Sequence, residues 1–346
     1  MPLRELFSIF KETRFIVSTV SSVLVNPELF AMKTFHLAIV DEASQILEPQ
    51  IIGILSKVDK FILIGDEKQL PAVVQQDNES QKVNNENLQR IQLKNLSQSL
   101  FERLLRCCLT NGWEKSLGML TEQARMHKDI QFLANTLFYS NSLKLFDSSG
   151  WQIQHRVMDF DNLNQDIEGD KMLSILMNHR VIFIDSDIEK SAKKHSQEAE
   201  RIKIILSGLE KIYGTKLEND DVGIITPFRA QCNEIYRRID VNQKGKITID
   251  TVERFQGSER EVIIISFAVN YPALIRQISS ILTLNGTLID RKLNVAMTRA
   301  KKQLILLGAS QVLMKSEIYA KLIEIIKKEF CYISSEVFES MIKRQG

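Results

Sequence analysis

The chain has 346 residues, of which 44% are hydrophobic and 25% are charged, and its net charge is +2. These values exclude a disordered polar chain and are typical of a globular protein long enough for two domains. The near balance of charge also excludes a uniformly basic protein, so any site for a polyanion must be a local groove.

The sequence carries no targeting or membrane signal. No apolar run approaches the roughly 18 residues needed to cross a bilayer, and the N-terminus lacks a signal-peptide pattern. The four cysteines have no metal-ligand spacing and no histidine cluster beside them, which indicates reduced thiols. We therefore expect a soluble intracellular protein, cytoplasmic or nuclear, with no membrane partner.

Short apolar runs rich in β-branched residues predict strands that are buried on both faces of parallel sheets. Helical patterns lie between them, and the clearest has Ser196 as its predicted N-cap and Gly214 as its C-cap. Alternating strands and helices predict an α/β fold. The predicted strands, in chain order, are Phe15–Val20, His36–Val40, Phe61–Gly65, Val181–Ile184, Val222–Thr226, Ile247–Thr251, Val262–Ala268 and Gln303–Gly308.

Two consecutive strands end in polar residues of a catalytic type. Asp41 and Glu42 follow the His36–Val40 strand, and a turn containing Gln69 follows the Phe61–Gly65 strand. The carboxyl ends of parallel strands meet at one sheet edge, where α/β proteins bind ligands. There, one acid can bind Mg²⁺, the other can polarise a water, and the amide can hydrogen-bond a γ-phosphate. Two acids at the start of a helix are also favoured by the helix dipole, so the pair alone leaves both explanations open.

Two arginines, Arg125 and Arg299, lie in short segments next to predicted helix ends. A guanidinium group can stabilise the charge that develops on a transferring phosphoryl group, an effect of roughly 10³–10⁵ in rate. A single arginine of this kind is more often a solvated surface residue. The assignment of a catalytic role therefore depends on the other motifs that occur in the same chain.

Further polar segments follow the predicted strands that end at Thr226 and Thr251. Hydroxyl groups and backbone amides at such positions can hold a phosphodiester backbone. Gly257, a few residues beyond Thr251, permits close approach of the backbone to a ligand.

The ordered segments DEAS, GDEKQLP, EQARMH, TPFRAQ, TVERFQGSE and NVAMTRA resemble the motifs of superfamily 1 helicases. The likeness is to the branch that contains the nonsense-mediated-decay helicase and senataxin, and it runs from about residue 13 to residue 310. The resemblance implies two RecA-like domains with parallel sheets, ATP between them and single-stranded nucleic acid across their top. It assigns residues 1–115 to the C-terminal part of the first domain and 116–346 to the second.

The resemblance also implies roles for individual residues. It makes Asp41 the Mg²⁺ ligand, Glu42 the catalytic base and Gln69 the γ-phosphate sensor, with Arg125 and Arg299 as the arginines that act on the nucleotide from the second domain. One position departs mildly from the family pattern, because Ala124 stands where the family usually has tyrosine. The remaining implied contacts are Gly257 and Glu259 with the nucleotide, and Ser18, Thr19, Thr226, Pro227 and Thr251 with nucleic acid.

The phosphate-binding loop of the family is absent from these 346 residues. No glycine precedes Gly53, and Gly245-Lys246 is followed by Ile247 in a predicted strand rather than by Ser or Thr and a helix. We therefore expect the first RecA-like domain to be incomplete, truncated at its N-terminal side. We also expect a polypeptide that supplies the missing P-loop segment to be a partner.

The leading functional prediction is the C-terminal motor part of an ATP-dependent helicase or translocase, using ATP and Mg²⁺ on single-stranded RNA or DNA. Without the P-loop, this chain alone is expected to be inactive. The alternative is a non-hydrolysing nucleic-acid-binding or scaffold module. The missing loop favours this alternative. The presence of a catalytic-type set, made up of the two acids, Gln69 and the two arginines, argues against it. A small-molecule P-loop kinase needs the same missing loop and leaves the later motifs unexplained.

Overall fold

The computed structural model describes residues 3–74, 76–77, 79–146, 170–214, 219–240, 242–284 and 286–343. The chain forms two compact units, Met1–Met119 and Leu120–Gly346. The predicted identities of the two domains stay predictions. Within the described ranges, every helix is too short or too polar to span a bilayer.

The second unit is built on a six-stranded sheet in which every strand pair is parallel. The five strands predicted in this region are confirmed. The inner ones contribute apolar runs that are buried on both faces, whereas β7 is a partly buried edge strand. The predicted α/β fold class with parallel sheets is therefore confirmed. In sheet order the strands are β12 (Cys331–Ile333), β5 (Val181–Asp185), β11 (Ala300–Gly308), β8 (Arg260–Ser266), β6 (Val222–Ile225) and β7 (Thr248–Asp250).

Helices cover both faces of this sheet. One face packs its apolar side chains against α8, α9, α10 and α16, and the other packs against α7, α13 and α15. The helices of this unit are α7 (Lys128–Phe138), α8 (Lys171–Asn178), α9 (Ser196–Tyr213), α10 (Arg229–Arg238), α11 (Val252–Phe255), α12 (Ile275–Ile278), α13 (Arg291–Met297), α14 (Ser310–Leu313), α15 (Glu317–Glu329) and α16 (Ser335–Lys343).

Helix α9 begins one residue earlier than the predicted cap at Ser196 implies. The N-cap is His195, not Ser196, and its Nδ1 accepts the backbone N–H of Glu198 at 3.3 Å. The imidazole caps the helix because His195 is fully buried at the position before its first residue. Ser196 is itself the first residue of the helix. The predicted C-cap, Gly214, is confirmed and has a φ of 55° that favours glycine.

The first unit contains a two-stranded parallel sheet, β1 (Phe35–Val40) and β2 (Val58–Leu63). One face of it packs on a small core that includes Val40, Ile51 and Leu100. A buried bidentate pair, Arg103 with Glu48 at 2.6 and 2.7 Å, ties two of its helices together. The helices are α1 (Leu3–Glu12), α2 (Val20–Val25), α3 (Leu29–Met32), α4 (Glu48–Leu55), α5 (Glu86–Arg90) and α6 (Leu100–Asn111).

The other face of this two-stranded sheet is apolar and open. The side chains of Leu37, Ile39 and Ile62 are 49%, 61% and 49% exposed. Parallel sheets are normally covered on both faces, and each of these strands has only one neighbour among the described residues. The first unit therefore presents a sheet face and two edges to which nothing in the described structure is bound.

The predicted strand Phe15–Val20 is wrong. Residues 14–19 form neither helix nor strand, and the side chains of Phe15 and Val17 are 88% and 99% exposed. Helix α2 begins at Val20, with Thr19 as its N-cap. A β-branched run becomes a strand only where another strand offers a hydrogen-bonded ladder, and no described strand does so here.

Several short strands have no clear signal in the sequence. Strand β12 contributes three residues to the edge of the large sheet. An antiparallel hairpin pairs β9 (Ile281–Leu284) with β10 (Thr287–Asp290), and its turn includes Gly286 at a φ of 77°. A parallel pair joins β3 (Glu122–Gln123) and β4 (Lys144–Leu145).

Candidate functional site

The loops that follow β1 and β2 lie side by side at the carboxyl edge of the small sheet. The backbone N–H of Ala43 donates to Ile64 O at 2.7 Å, and that of Asp66 donates to Ser44 Oγ at 3.4 Å. Ser44 is buried against Gly65, where an added Cβ would lie 2.9 Å from the Ser44 backbone nitrogen. The close contact at this glycine brings the two predicted motifs into one surface.

Glu42 occupies a left-handed backbone conformation, with φ 51° and ψ 35°. Such conformations are uncommon for residues other than glycine and are concentrated at functional sites. Its exposed carboxylate accepts a hydrogen bond from Gln45 Nε2 through Oε2 at 2.5 Å. Oε1 is the oxygen of Glu42 that this bond leaves available to a water molecule.

The carboxylate of Asp41 fits a magnesium ligand. One oxygen, Oδ1, accepts the backbone N–H of Glu42 at 2.9 Å, and the side chain is exposed. Protein Mg²⁺ is commonly held by one or two carboxylates together with substrate phosphates and waters. A single exposed carboxylate at this sheet edge is consistent with such a site.

Gln69 is held in place by the acid that begins its own turn. Its Nε2 donates to Asp66 Oδ2 at 3.1 Å, and its backbone N–H donates to Asp66 O at 3.1 Å. The side-chain bond fixes the orientation of the amide group. Its nitrogen is directed at Asp66, and its oxygen is left available to another group. Asp66 has no predicted role, although it lies within the same motif.

We expect Gly65→Ala to separate these two loops and to destabilise the first unit by about 1–3 kcal/mol, because the new Cβ would press on backbone rather than on a flexible side chain. Gly53→Ala is the matched control. Gly53 lies in α4 with nothing within 4 Å of an added Cβ, so the same change should stabilise by about 0.5–1 kcal/mol. Denaturant unfolding measures both, and equal effects would contradict the close contact.

In the second unit, three motifs that are distant in sequence meet at the amino edge of the large sheet. Arg125 Nε donates to Glu259 Oε2 at 2.7 Å, and Lys301 Nζ lies 2.8 Å from Glu259 Oε1. The backbone N–H of His127 donates to Lys301 O at 2.8 Å. Glu259 immediately precedes β8 and Lys301 lies at the start of β11, so both belong to the amino ends of central strands.

The carboxylate of Glu259 is held ionised by its cationic neighbours. Partial burial acts to raise its pKa, but the hydrogen bonds from Lys301 and Arg125 outweigh burial and lower it. A carboxylate with a lowered pKa keeps its ion pairs at neutral pH and loses them only as the pH falls through that pKa. Arg125 is therefore restrained by Glu259 at neutral pH, with its side chain 39% exposed.

Arg299 lies in the same cluster but is buried. Only 3% of its surface is exposed, and its Nε donates to Val295 O at 3.2 Å. Its Nη1 donates to Ser258 O at 3.3 Å, and its own carbonyl accepts the N–H of Arg260. The guanidinium is bonded to one backbone carbonyl of α13 and one in the turn before β8, and this burial is a tertiary feature that the sequence does not reveal.

Those residues of the second unit that are predicted to contact nucleic acid lie at the opposite, carboxyl edge of the large sheet. Thr226 follows β6 and Thr251 follows β7, whereas Glu259 precedes β8. Because β8 has seven residues, the two edges are about 20 Å apart. The predicted site residues of this unit thus form two groups, which lie at opposite edges of the sheet.

The members of this second group differ in accessibility. Thr226 is fully buried, so its side chain offers no surface for nucleic acid, and its hydroxyl has no hydrogen-bond partner in the described structure. Pro227 and Thr251 are partly exposed. Gly257, a predicted nucleotide contact, belongs to the amino edge instead. It is exposed, lies in the turn that leads to β8 and has a φ of 76° that favours glycine.

Ser18 and Thr19, the remaining predicted contacts, are exposed in the first unit. Thr19 Oγ1 accepts the N–H of Ser22 at 3.1 Å and so caps helix α2, and Ser18 Oγ donates to Thr19 O at 3.4 Å. They precede a helix rather than end a strand. Lys301 is a site residue that the sequence analysis missed, although it follows the NVAMTRA motif directly.

Two family models, both described as an AAA domain, match this chain over residues 5–77 and 96–311. The chain is 31% identical to the mouse DNA replication ATP-dependent helicase/nuclease DNA2 over 304 residues, which is 82% of the chain and 26% of the relative. It is 31% identical to an uncharacterised ATP-dependent helicase of Methanocaldococcus jannaschii, over 91% of the chain and 42% of that protein.

The chain thus spans about a quarter to two-fifths of the length of these curated relatives. Among solved structures, an arterivirus nonstructural protein 10 helicase in complex with DNA is similar over 82% of the chain and 41% of its own length. The identity there is 12% and the TM-score 0.35, which is too low to support an assignment. On the family match and the two sequence relatives, the chain belongs to the AAA domain family and is homologous to the superfamily 1 ATP-dependent helicases.

Proposed function

We propose that this chain is the motor part of a helicase that couples ATP hydrolysis to movement along single-stranded nucleic acid. The observation that carries the proposal is the pair of adjoining loops after β1 and β2. They bring Asp41, Glu42 and Gln69 to one sheet edge, held by the bond between Ala43 and Ile64 and by the packing of Gly65 on Ser44. Residues that only stabilise a fold do not need an exposed acid in a left-handed conformation.

In this proposal, the residues of the first unit prepare a water molecule and a cation. Mg²⁺, when bound, neutralises phosphate charge, and Asp41 is the residue that would hold it. Glu42 Oε1 accepts the proton of the attacking water, while Gln45 keeps the other carboxylate oxygen in place. Gln69 offers its amide oxygen to the same region because Asp66 engages its nitrogen.

The residues of the second unit supply positive charge. Arg125 is the leading candidate for an arginine that acts on the phosphates, because its guanidinium is partly exposed and pairs with a carboxylate that Lys301 also neutralises. Glu259 would then position Arg125, and Gly257 would allow the backbone to approach the nucleotide. Arg299 is the second candidate, and it would have to exchange its bonds to Val295 and Ser258 for bonds to a phosphate.

The triphosphate itself is not accommodated by these 346 residues, which contain no Gly-Lys-Ser/Thr loop. We propose that a polypeptide segment with such a loop completes the nucleotide site. The open apolar face at Leu37, Ile39 and Ile62 supports this, because a parallel sheet is stable when further strands and helices cover it. The resemblance to the nonsense-mediated-decay helicase and senataxin branch remains part of the same proposal.

The alternative is a nucleic-acid-binding or scaffold module that does not hydrolyse ATP. It is favoured by the missing loop, and it predicts single-strand binding by the second unit without turnover under any condition. The two proposals are separated by an extended version of the protein, in which a strand, a Gly-rich loop ending in Gly-Lys-Ser/Thr and a helix are added before residue 1.

The decisive experiment measures ATP turnover by the extended version with and without single-stranded oligonucleotides. We expect turnover that depends on Mg²⁺ and rises when single-stranded DNA or RNA is added. If the extended version is folded and binds single strands and ATP but shows no turnover, the motor proposal is wrong and the scaffold alternative is supported.

A further inference from the structure

A basic loop, residues 186–195, crosses the carboxyl edge of the large sheet between β5 and α9. It contains Lys190, Lys193 and Lys194, of which Lys190 and Lys193 are exposed. Lys194 pairs with Glu234 at 3.2 Å. We call residues 186–195 the lysine loop. None of the motifs described above includes it.

The backbone of the lysine loop is fixed by a buried asparagine from the segment after β8. Asn270 is 2% exposed, and its Nδ2 donates to Ser191 O at 2.9 Å and to Lys194 O at 3.1 Å. Its Oδ1 accepts the backbone N–H of Glu189 at 2.8 Å. One side chain thus forms hydrogen bonds with the backbone of three loop residues. Because the loop backbone is already ordered, little conformational entropy is lost when a ligand binds.

A second buried amide joins the loop to the TPFRAQ segment. Gln231 accepts the N–H of His195 at 2.8 Å and donates to the carbonyl of His195 at 3.0 Å. Lys193 Nζ lies 5.7 Å from the centre of the Phe228 ring. The loop therefore lies beside the segment that contains Pro227, one of the partly exposed residues predicted to contact nucleic acid.

The exposed lysines are available to an anion. Neither Lys190 nor Lys193 pairs with a carboxylate among the described residues. The acids of the loop are engaged elsewhere: Glu189 accepts two backbone N–H groups at the start of α9, and Asp187 accepts two side-chain hydrogen bonds. Those bonds lower the pKa of Asp187, the largest effect coming from Gln197. Both acids are thus hydrogen-bonded to groups other than the lysine ammonium groups.

An exposed aromatic ring stands beside these cations. Tyr271 is 42% exposed, and its hydroxyl donates to Lys190 O at 2.8 Å, which fixes the ring next to the loop. Cations that track a phosphate backbone, together with an aromatic ring on which a base can stack, are the usual elements of a single-strand binding surface. Binding of an acidic peptide would require the cations but not an aromatic ring for stacking.

We propose that the lysine loop and Tyr271 bind single-stranded nucleic acid, with Lys190 and Lys193 on consecutive phosphates and a base stacked on the Tyr271 ring. This inference rests on the proposed function and extends it, because it continues the surface of Pro227 and Thr251 along the carboxyl edge towards β5. It gives the second unit a binding surface that does not depend on a nucleotide.

The test is equilibrium binding of labelled oligo(dT) and oligo(U) to the full chain across a range of salt concentrations. The double variant Lys190→Ala/Lys193→Ala should bind about tenfold more weakly at low salt. Its slope of log K against log salt should be smaller by about 1.4, since each phosphate contact on a single strand contributes roughly 0.7. Tyr271→Ala should weaken binding about fivefold or more, and Tyr271→Phe, which keeps the ring but loses the bond to Lys190 O, should bind more tightly than Tyr271→Ala.

The matched control is Lys211→Ala/Lys328→Ala. Both lysines are exposed and lie in the last turns of α9 and α15, at the amino edge of the sheet. The control removes the same charge from the other edge and should change neither affinity nor slope appreciably.

The possible outcomes separate this inference from the function on which it rests. If the unmodified chain binds single strands and the Lys190/Lys193 variant binds equally well with the same slope, the lysine loop is excluded and the motor proposal stands. If the unmodified chain binds neither oligonucleotide, the nucleic-acid part of the proposed function fails together with the loop. If polyglutamate of equal charge competes as well as the oligonucleotides, the surface recognises acidic polymers and the inference is overturned.

Discussion

Glu42→Gln in the extended version should leave ATP binding largely intact while steady-state turnover falls by about 10²–10⁴-fold. The amide can still accept the hydrogen bond from Gln45 through its oxygen, so the left-handed turn and the position of Asp41 are preserved. It cannot take a proton from water at neutral pH. Nucleotide affinity and turnover measured on the same preparation separate these effects.

The matched control for this change is Glu86→Gln, which neutralises an exposed carboxylate in the first turn of α5. It should leave both affinity and turnover unchanged. Turnover of Glu42→Gln within a few-fold of the unmodified protein would remove Glu42 from the catalytic machinery.

Arg125→Ala should reduce turnover of the extended version by about 10³-fold or more, because a guanidinium that stabilises transferring phosphoryl charge is removed. The cost to folding should stay below about 1 kcal/mol, since the pair with Glu259 is 39% and 42% exposed and surface ion pairs contribute little. Glu259→Gln is the companion variant. It releases Arg125 without removing it, so it should alter the affinity for nucleotide more than the rate of the chemical step.

Arg299 requires a different design because its side chain is buried. Truncation to alanine would remove the hydrogen bonds that Arg299 donates to the carbonyls of Val295 and Ser258 and should destabilise the second unit by about 1–3 kcal/mol. Arg299→Lys keeps a cation and is the better probe of catalysis. Normal turnover by Arg299→Lys would show that the guanidinium group itself is not required for the chemical step, whereas normal stability with slower turnover would support a catalytic role for Arg299.

The central sheet of the second unit was predictable because its strands are buried on both faces. Runs such as Val181–Ile184 and Val262–Ala268 are then continuous in apolar residues, a pattern that few surface segments share. Phe15–Val20 has the same composition but no described strand beside it, so composition alone gave a wrong strand. Strand β12 has only three residues, too few for any periodicity.

The positions of the candidate site residues were predictable from motif order, whereas their environments were not. The sequence places Gln69 beside the acids but does not show that Asp66 orients its amide. It places Arg125 and Arg299 in equivalent contexts, yet one is held by a carboxylate at the surface and the other is buried against carbonyls. Those differences depend on contacts between residues more than 40 positions apart along the chain.

The most direct test of this account compares ATP hydrolysis by the chain of 346 residues with that of the extended version, in the presence of single-stranded RNA or DNA. The account predicts that the 346-residue chain hydrolyses ATP no faster than a buffer blank and that the extended version turns over. Robust hydrolysis by the 346-residue chain, abolished by Glu42→Gln, would contradict it, because a phosphate site would then exist within these residues.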